Sequence, residues 1–263
     1  MKLDNSPLKL VIYACLGLFT VNSACVSAAS DRSEDWKPVT RDEAIALVSN
    51  TPEGVIPDLQ DLDFRNQDMS GIDFKGANLH GTHMKGVNLS KSNFENSNMD
   101  ITILRGANLE GANLRNTSLY AVIIGDANMK GADLSGARVV GNFERSNLEG
   151  AKLVDLRAGV NMSSQSMGMA IFYLVKANLK NADLTNADMS ICNAKFATFT
   201  GANLTGANLS DCALVNADFT GANLTGTDLT GADIQGAIFK DITGKDTIIG
   251  LDETKGFKFA NFD

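Results

Sequence analysis

Apolar residues recur at every fifth position along most of this chain. The centres fall at Leu59, Phe64, Met69, Phe74, Leu79, Met84, Leu89, Phe94, Met99, Leu104, Leu109, Leu114, Leu119, Ile124, Met129, Leu134 and Val139. They resume at Leu174, Leu179, Leu184 and Met189, pass a weak Ala194, and continue from Phe199 to Phe239. A helix repeats every 3.6 residues and a strand every two, so in a single continuous strand successive centres would point to opposite faces. The chain must therefore turn once per pentad. Gly, Asn, Asp, Ser and Thr fill the remaining positions and tolerate such turning. Two residues before most centres stands a small residue, as at Ala77, Ala107, Ala112, Ala127, Ala132, Ala177, Ala182, Ala202 and Ala222, so each pentad directs one large and one small group inward.

The number of pentads in one circuit is also written in the sequence. Phenylalanine returns at every fourth centre, at Phe199, Phe219 and Phe239 and again at Phe74 and Phe94. Twenty residues per coil follow, with like side chains stacked above one another. The fold class expected is an all-β solenoid.

The phrases GANLTGANLS at 201–210 and GANLTGTDLTGAD at 221–233 resemble the consensus A-[ND]-L-x-G of the pentapeptide-repeat family, over roughly residues 59–242. A five-residue phase held over so many copies makes the resemblance specific. It implies a right-handed quadrilateral β-helix of about nine 20-residue coils. At the inter-strand spacing of about 4.8 Å such a rod is about 45 Å long.

Outside the repeat the chain changes character. Residues 1–29 order a positive start (Lys2, Lys9), an apolar run from Leu10 to Val21 too short to span a bilayer, and a small-residue site at Ser27-Ala28-Ala29. That order is a secretory signal peptide. Cys25 is a second-ranked lipid anchor, since Asn22 stands where bacterial lipoprotein signals usually carry Leu. Residues 30–58 form an entry segment. In it Thr40-Arg41-Asp42-Glu43 has the form of a capping box, opening a short helix at about 41–49 with Ala44, Ile45, Leu47 and Val48 as its apolar face. Its expected task is to cover the apolar end of the stack. Residues 243–263 are expected to close the other end. Within the repeat, Phe143 arrives one residue early and residues 154–173 lose the motif, yet Leu174 regains the original phase, so a single rod with a bulge and an excursion is expected.

Composition narrows the function. The 263 residues carry a net charge of -8, and removal of residues 1–29 leaves 21 basic against 30 acidic residues, or -9. A spread acidic balance argues against nucleic-acid binding, which needs clustered Lys and Arg. Only 6% of residues are aromatic, in keeping with a thin and regular core. His80 and His83 lack a Cys or carboxylate to complete a metal site, and neither adjoins a nucleophile. Asp183, Asp188, Asp218, Asp228 and Asp233 occupy the slot just before the centre, where Asn203, Asn208 and Asn223 stand in other copies, so hydrogen bonding at the corner explains them better than acid–base catalysis. Neither a cofactor nor an enzymatic activity is expected.

The position after each centre is mixed and charged in the first half, from Lys75, His80 and Lys85 to Arg115 and Tyr120, but a hydroxyl ladder including Thr205 and Thr225 in the second. Together with Met162, Met167 and Met169 of the excursion, Thr205 and Thr225 are the candidate contacts for a protein partner. Cys192 and Cys212, 20 residues apart in the small inward slot, should stack on adjacent coils as packed thiols or, less favoured, as a disulfide. A non-enzymatic scaffold of an exported compartment is the leading expectation, with no transmembrane segment after signal removal and a homodimer through a stack end as a secondary one. The alternative, drawn from the resemblance, is a DNA-mimicking topoisomerase binder of the cytoplasm.

Overall fold

The computed structural model describes residues 36–159 and 171–263. Residues 1–29, Cys25, Met162, Met167 and Met169 lie outside the described residues, so the expectations attached to them are not addressed by the structure.

Each pentad forms one side of a coil. The amide of each centre donates to a carbonyl of the coil above, as Leu59 N does to Asn78 O at 2.8 Å, and parallel bridges join Asp58 to Asn78, Asn78 to Asn98 and Asn98 to Ser118. At the corner the centre's carbonyl accepts from the amide three residues on, as Phe74 O does from Ala77 N at 2.9 Å. The third residue of that turn, Gly76, has φ 70°. A type II turn demands this left-handed value, which is why glycine so often fills the slot. Where another residue stands there it is mostly Asn or Asp, but Ile101 and Ile191 (φ 61°) and Phe196 (φ 59°) also adopt it.

The interior is built as the spacing predicts. Centres from Leu59 through Leu229 are fully buried, and the small slot two before them is filled by buried Ala77, Ala107, Ala182 and Ala222. Some coils put a hydroxyl in the small slot and satisfy it inside: Ser92 donates to Met69 O at 2.8 Å and Ser97 to Phe74 O at 2.7 Å, each one coil below. The phenylalanine columns stack face to face, Phe74 on Phe94 at 5.1 Å and Phe199 on Phe219 on Phe239 at 4.8 and 4.9 Å.

The chain enters as a two-residue strand β1 (Lys37–Pro38), laid parallel to β2 (Leu62–Asp63). Helix α1 follows over Arg41–Ser49, with both hydrogen bonds of the Thr40/Glu43 capping box in place. Only Ala44 of its expected apolar face is fully buried, with Val48 against the same core, whereas Ile45 and Leu47 are exposed. The reason is geometric: residues 44 and 48 lie one turn apart on the same stripe, and 45 and 47 flank it. Arg41 ties the helix to a corner by donating to the carbonyls of Asp68 and Ser70.

The phase shift resolves into two compensating steps. β3 (Ser118–Ile123) pairs with β4 (Arg138–Asn142), and the register slips between Tyr120 and Val122, so that Ala121 is the bulged residue. From there Asn128 meets Asn147, 19 residues on, and Asn147 meets Asn178, 31 residues on. One residue lost and eleven gained restore the five-residue phase. The shifted coil runs further than its apolar residues suggest: Arg157 bridges Asp188 and Ala158 is buried as a centre, while β5 (Phe172–Tyr173) resumes the stack on Gly141–Asn142. Ala158 is too small to stand out as a large apolar centre.

The last coil departs from the five-residue rule. Asn223 pairs with Thr243, Asp228 with Ile249, Asp233 with Lys255 and Ile238 with Asn261, so each side is six residues long. The extra residue is absorbed by 3₁₀ turns at Lys245–Thr247, Leu251–Glu253 and Phe257–Phe259, each preceded by a left-handed glycine, Gly244, Gly250 and Gly256. Phe262 extends the phenylalanine column, 4.9 Å from Phe239.

Candidate interaction surface

With large and small groups turned inward, the outside of each side is written by the slot before the centre and the slot after it. The residue before the centre is the hinge of a side-chain ladder. Its oxygen accepts from the amide two residues on, as Asn93 Oδ1 does from Glu95 N, and its amide group donates to the same slot one coil below, as Asn93 Nδ2 does to Asp73 Oδ1 at 2.8 Å. Asn can do both, donating down and accepting across, which accounts for its recurrence; Asp can only accept. The aspartates set aside from catalysis play this part: Asp183 accepts from Thr185, Asp188 from Ser190, Asp218 from Thr220, Asp228 from Thr230 and Asp233 from Gln235. At Asp218 burial opposes ionisation, but the Thr220 hydroxyl and amide and the Thr200 hydroxyl outweigh it and hold the carboxyl below the usual range.

The candidate contacts Thr205 and Thr225 belong to this ladder. Thr205 Oγ1 donates to Asn203 Oδ1 at 2.7 Å and accepts from Asn223 Nδ2 at 2.9 Å, and Thr225 Oγ1 donates to Asn223 Oδ1 at 2.7 Å. Both are half-buried, and their hydroxyls are already used within the molecule. In the first half residues of the slot after the centre enter cross-coil ion pairs, Lys75–Glu95 at 3.0 Å and Lys130–Glu149 at 3.2 Å, and Arg115 with Asp133 of the slot before the centre at 3.3 Å. Asp126 bridges Arg105 and Arg145, and the Arg145 hydrogen bonds hold its carboxyl low. Exposed pairs of this kind contribute about 0–1 kcal/mol each, so they shape the surface more than they hold the fold.

The structure joins Cys192 and Cys212 as a disulfide, where packed thiols were favoured on the sequence. Their Cα atoms lie 4.6 Å apart, set by the stacking of adjacent coils, and both side chains fill the small inward slot of one side. That separation is within the range a disulfide spans.

His80 and His83 are not brought together on a shared ligand. His80 is half-buried at an outward slot, whereas His83 is buried with neither ring nitrogen hydrogen-bonded. Its ring lies against Trp36, centroids 4.5 Å apart, and the Trp36 indole donates to Gly81 O at 2.8 Å. Trp36 also packs with Ile101, Ile103 and Ala121 in a small apolar cluster on the outside of the coils. The sequence reading missed this cover. A signal was present, since His83, Ile103 and Ile123 occupy on successive coils the outward slot that Asn or Asp fills elsewhere, and an apolar column there needs something over it. Among the described residues no group of three or more His, Cys, Asp and Glu could hold a metal ion, and no helix is long and apolar enough to cross a membrane.

At the far end the last coil presents Ile249, Phe257 and Phe259, all exposed, beside Phe262. These are the largest apolar groups on that face, and the sequence placed no residue-level candidate there.

A family model agrees with this architecture. A model of pentapeptide repeats matches in eight copies, over residues 58–96, 102–138, 173–211 and 202–241, together more than half of the chain. No curated protein sequence matches significantly. Among solved structures, full-length QnrB1, a plasmid-mediated fluoroquinolone resistance protein, is 20% identical over 60% of this chain and 84% of its own, with a TM-score of 0.49. HetL from the cyanobacterium Nostoc sp. strain PCC 7120, involved in heterocyst differentiation regulation, is 25% identical over 82% of this chain and 94% of its own, with a TM-score of 0.34. A thylakoid-lumen pentapeptide-repeat protein of Arabidopsis thaliana is 24% identical over 65% and 70%, with a TM-score of 0.15. At these scores the likenesses carry no argument about activity. The family rests on the repeat itself, and by that repeat the chain belongs to the pentapeptide-repeat proteins.

Proposed function

We propose that this protein is a non-enzymatic scaffold that binds a protein partner along the sides of a β-helical rod of about nine coils, covered at its entry end by α1. Pentapeptide-repeat proteins are non-enzymatic repeat scaffolds, which supports the reading at the level of the family. The observation that carries it here is the ladder: cross-coil bonds such as Asn93 to Asp73 and Asn113 to Asn93 fix the outward side chains at a regular spacing, giving flat and preorganised faces. A preorganised face loses little conformational freedom on docking, which is what a binding surface requires. The charged half and the hydroxyl half offer such a partner two chemically different strips, and the net charge of -8 favours a basic one.

The compartment is part of the proposal. The order of charge, apolar run and small residues in 1–29 supports export, to a periplasm, an equivalent lumen or the exterior, with cleavage near Ser30. The test is affinity capture of the tagged, processed protein from its own host, with N-terminal sequencing of the captured chain. A stoichiometric partner lost on charge reversal of Glu95, Asp133 and Glu149, the acidic members of the cross-coil pairs, supports the scaffold. An intact Met1 on cytosolic protein would refute export and favour the DNA-mimicking topoisomerase binder instead.

A further inference from the structure

We propose that the contact between Trp36 and His83 is an acid-released latch: protonating the buried imidazole lifts the entry strand off the outer face of the coils and uncovers the apolar patch of Ile101, Ile103 and Ala121. The geometry is that of a lid on one hinge. β1 is only two residues long, and beyond its pairing with β2 it is held by the Val39 amide on Asp63 O at 3.0 Å and by the Trp36 indole on Gly81 O. Among the described residues, the rest of what holds Trp36 down is its packing in the cluster of Ile101, Ile103 and Ala121, with Tyr120 and Ile123 against it, and its contact with the imidazole face.

Among the described residues, His83 is the group under this lid whose charge changes near physiological acidity. Its two nitrogens have no hydrogen-bond partner, so a proton arriving there would create a buried cation with nothing to accept from it. Burial therefore pushes the imidazole down to about 4, and the Arg65 guanidinium adds to this; Asp63 on the coil beneath opposes them, and Lys85 adds a smaller repulsion. Asp63 cannot serve as the missing partner, because it is held by Arg65 through both carboxylate oxygens at 2.6–3.0 Å. On the coil above, the facing residue is Ile103, and the strand itself brings Lys37.

The direction follows. With the imidazole at about 4 when covered and at its ordinary value of about 6.5 when released, the closed state is fully favoured above pH 6.5 and loses ground as pH falls toward 4. Between these limits the opening constant rises about 30-fold by pH 5 and about 160-fold by pH 4.

Trp36 is the single tryptophan of the chain, so its fluorescence reads the latch directly. The full-length protein should gain acrylamide access and a longer emission wavelength between pH 6.5 and 4, with far-ultraviolet circular dichroism unchanged. Exchange of the Val39 amide should accelerate over the same range. In His83→Asn, which restores the residue found in this slot at Asn78 and Asn88, both signals should stay flat; His83→Gln serves if the first variant loses the native dichroism. An unchanged acrylamide access in the wild type, an equal rise in the variant, or quenching by the imidazolium without any gain in access overturns the proposal.

Discussion

The phenylalanine column offers the sharpest test of the inside–outside assignment. Phe219 is fully buried and lies parallel to Phe199 and Phe239, at 4.8 and 4.9 Å with interplanar angles of 2°. Replacing it by Ala removes a ring that the column cannot refill. Its neighbours are pinned by the rung hydrogen bonds Phe199 N to Asp218 O at 2.6 Å and Phe219 N to Ile238 O at 2.8 Å, so the coils cannot close along the axis. The expected cost is at the upper part of the range for buried phenylalanine, about 3–5 kcal/mol. Two ring stacks, worth about 0.5–1.5 kcal/mol each beyond their area, are lost within that figure. Because each coil contacts only its neighbours, the break also uncouples the coils on either side, and unfolding should broaden or split. The control is Phe196→Gly. That ring is 51% exposed and its backbone sits at φ 59°, a conformation that costs a non-glycine residue about 1–2 kcal/mol. Relief of that strain offsets the greater freedom of glycine in the unfolded chain, about 0.5–1 kcal/mol, and the lost ring contact, leaving a net change within about 1 kcal/mol. Urea titration followed by circular dichroism compares the two. Equal losses, or a cost at Phe219 under about 1 kcal/mol, would refute the assignment.

Other outcomes follow from the ladder and the cysteines. Protein isolated without reductant and alkylated after denaturation should take up no label at Cys192 or Cys212; reduction should then lower the unfolding free energy by about 3 kcal/mol, the loop entropy of the 20-residue closure. Because the Asp218 carboxyl is held below its unfolded value of about 3.9, its contribution is complete above about pH 4 and disappears as pH falls through the lower folded value. Asp218→Asn, the residue other coils use there, should leave the urea midpoint at pH 7 almost unchanged and flatten its decline below pH 4. Thr220→Ala should be milder than Phe219→Ala but measurable, about 0.5–1.5 kcal/mol, since its hydroxyl donates to Asp218.

Much of the fold was legible because one rule, a large apolar residue every fifth position, is enforced by the stacking itself. The rule fails to read where its physical basis changes. Ala158 is a centre without bulk. The final coil uses six residues per side, so a five-residue template loses it, although Gly244, Gly250 and Gly256 mark the new period by their left-handed turns. The cover over His83 depends on a residue 47 positions earlier in the chain, a contact no local spacing encodes. Thr205 and Thr225 were visible as a ladder, but only the three-dimensional arrangement reveals that their hydroxyls are spent on Asn203 and Asn223.

The longer sides of the last coil bear on how such a rod avoids becoming a fibre. A solenoid of identical rungs leaves backbone groups unpaired at each end, a template on which another molecule could continue the stack without limit. Here the last described coil advances by 20, 21, 22 and then 23 residues relative to the coil beneath it yet still bridges it on every side, the extra residue of each side being taken up by a 3₁₀ turn. Anything stacking on this coil meets those 3₁₀ turns and the exposed Phe257 and Phe259 in place of another regular five-residue rung.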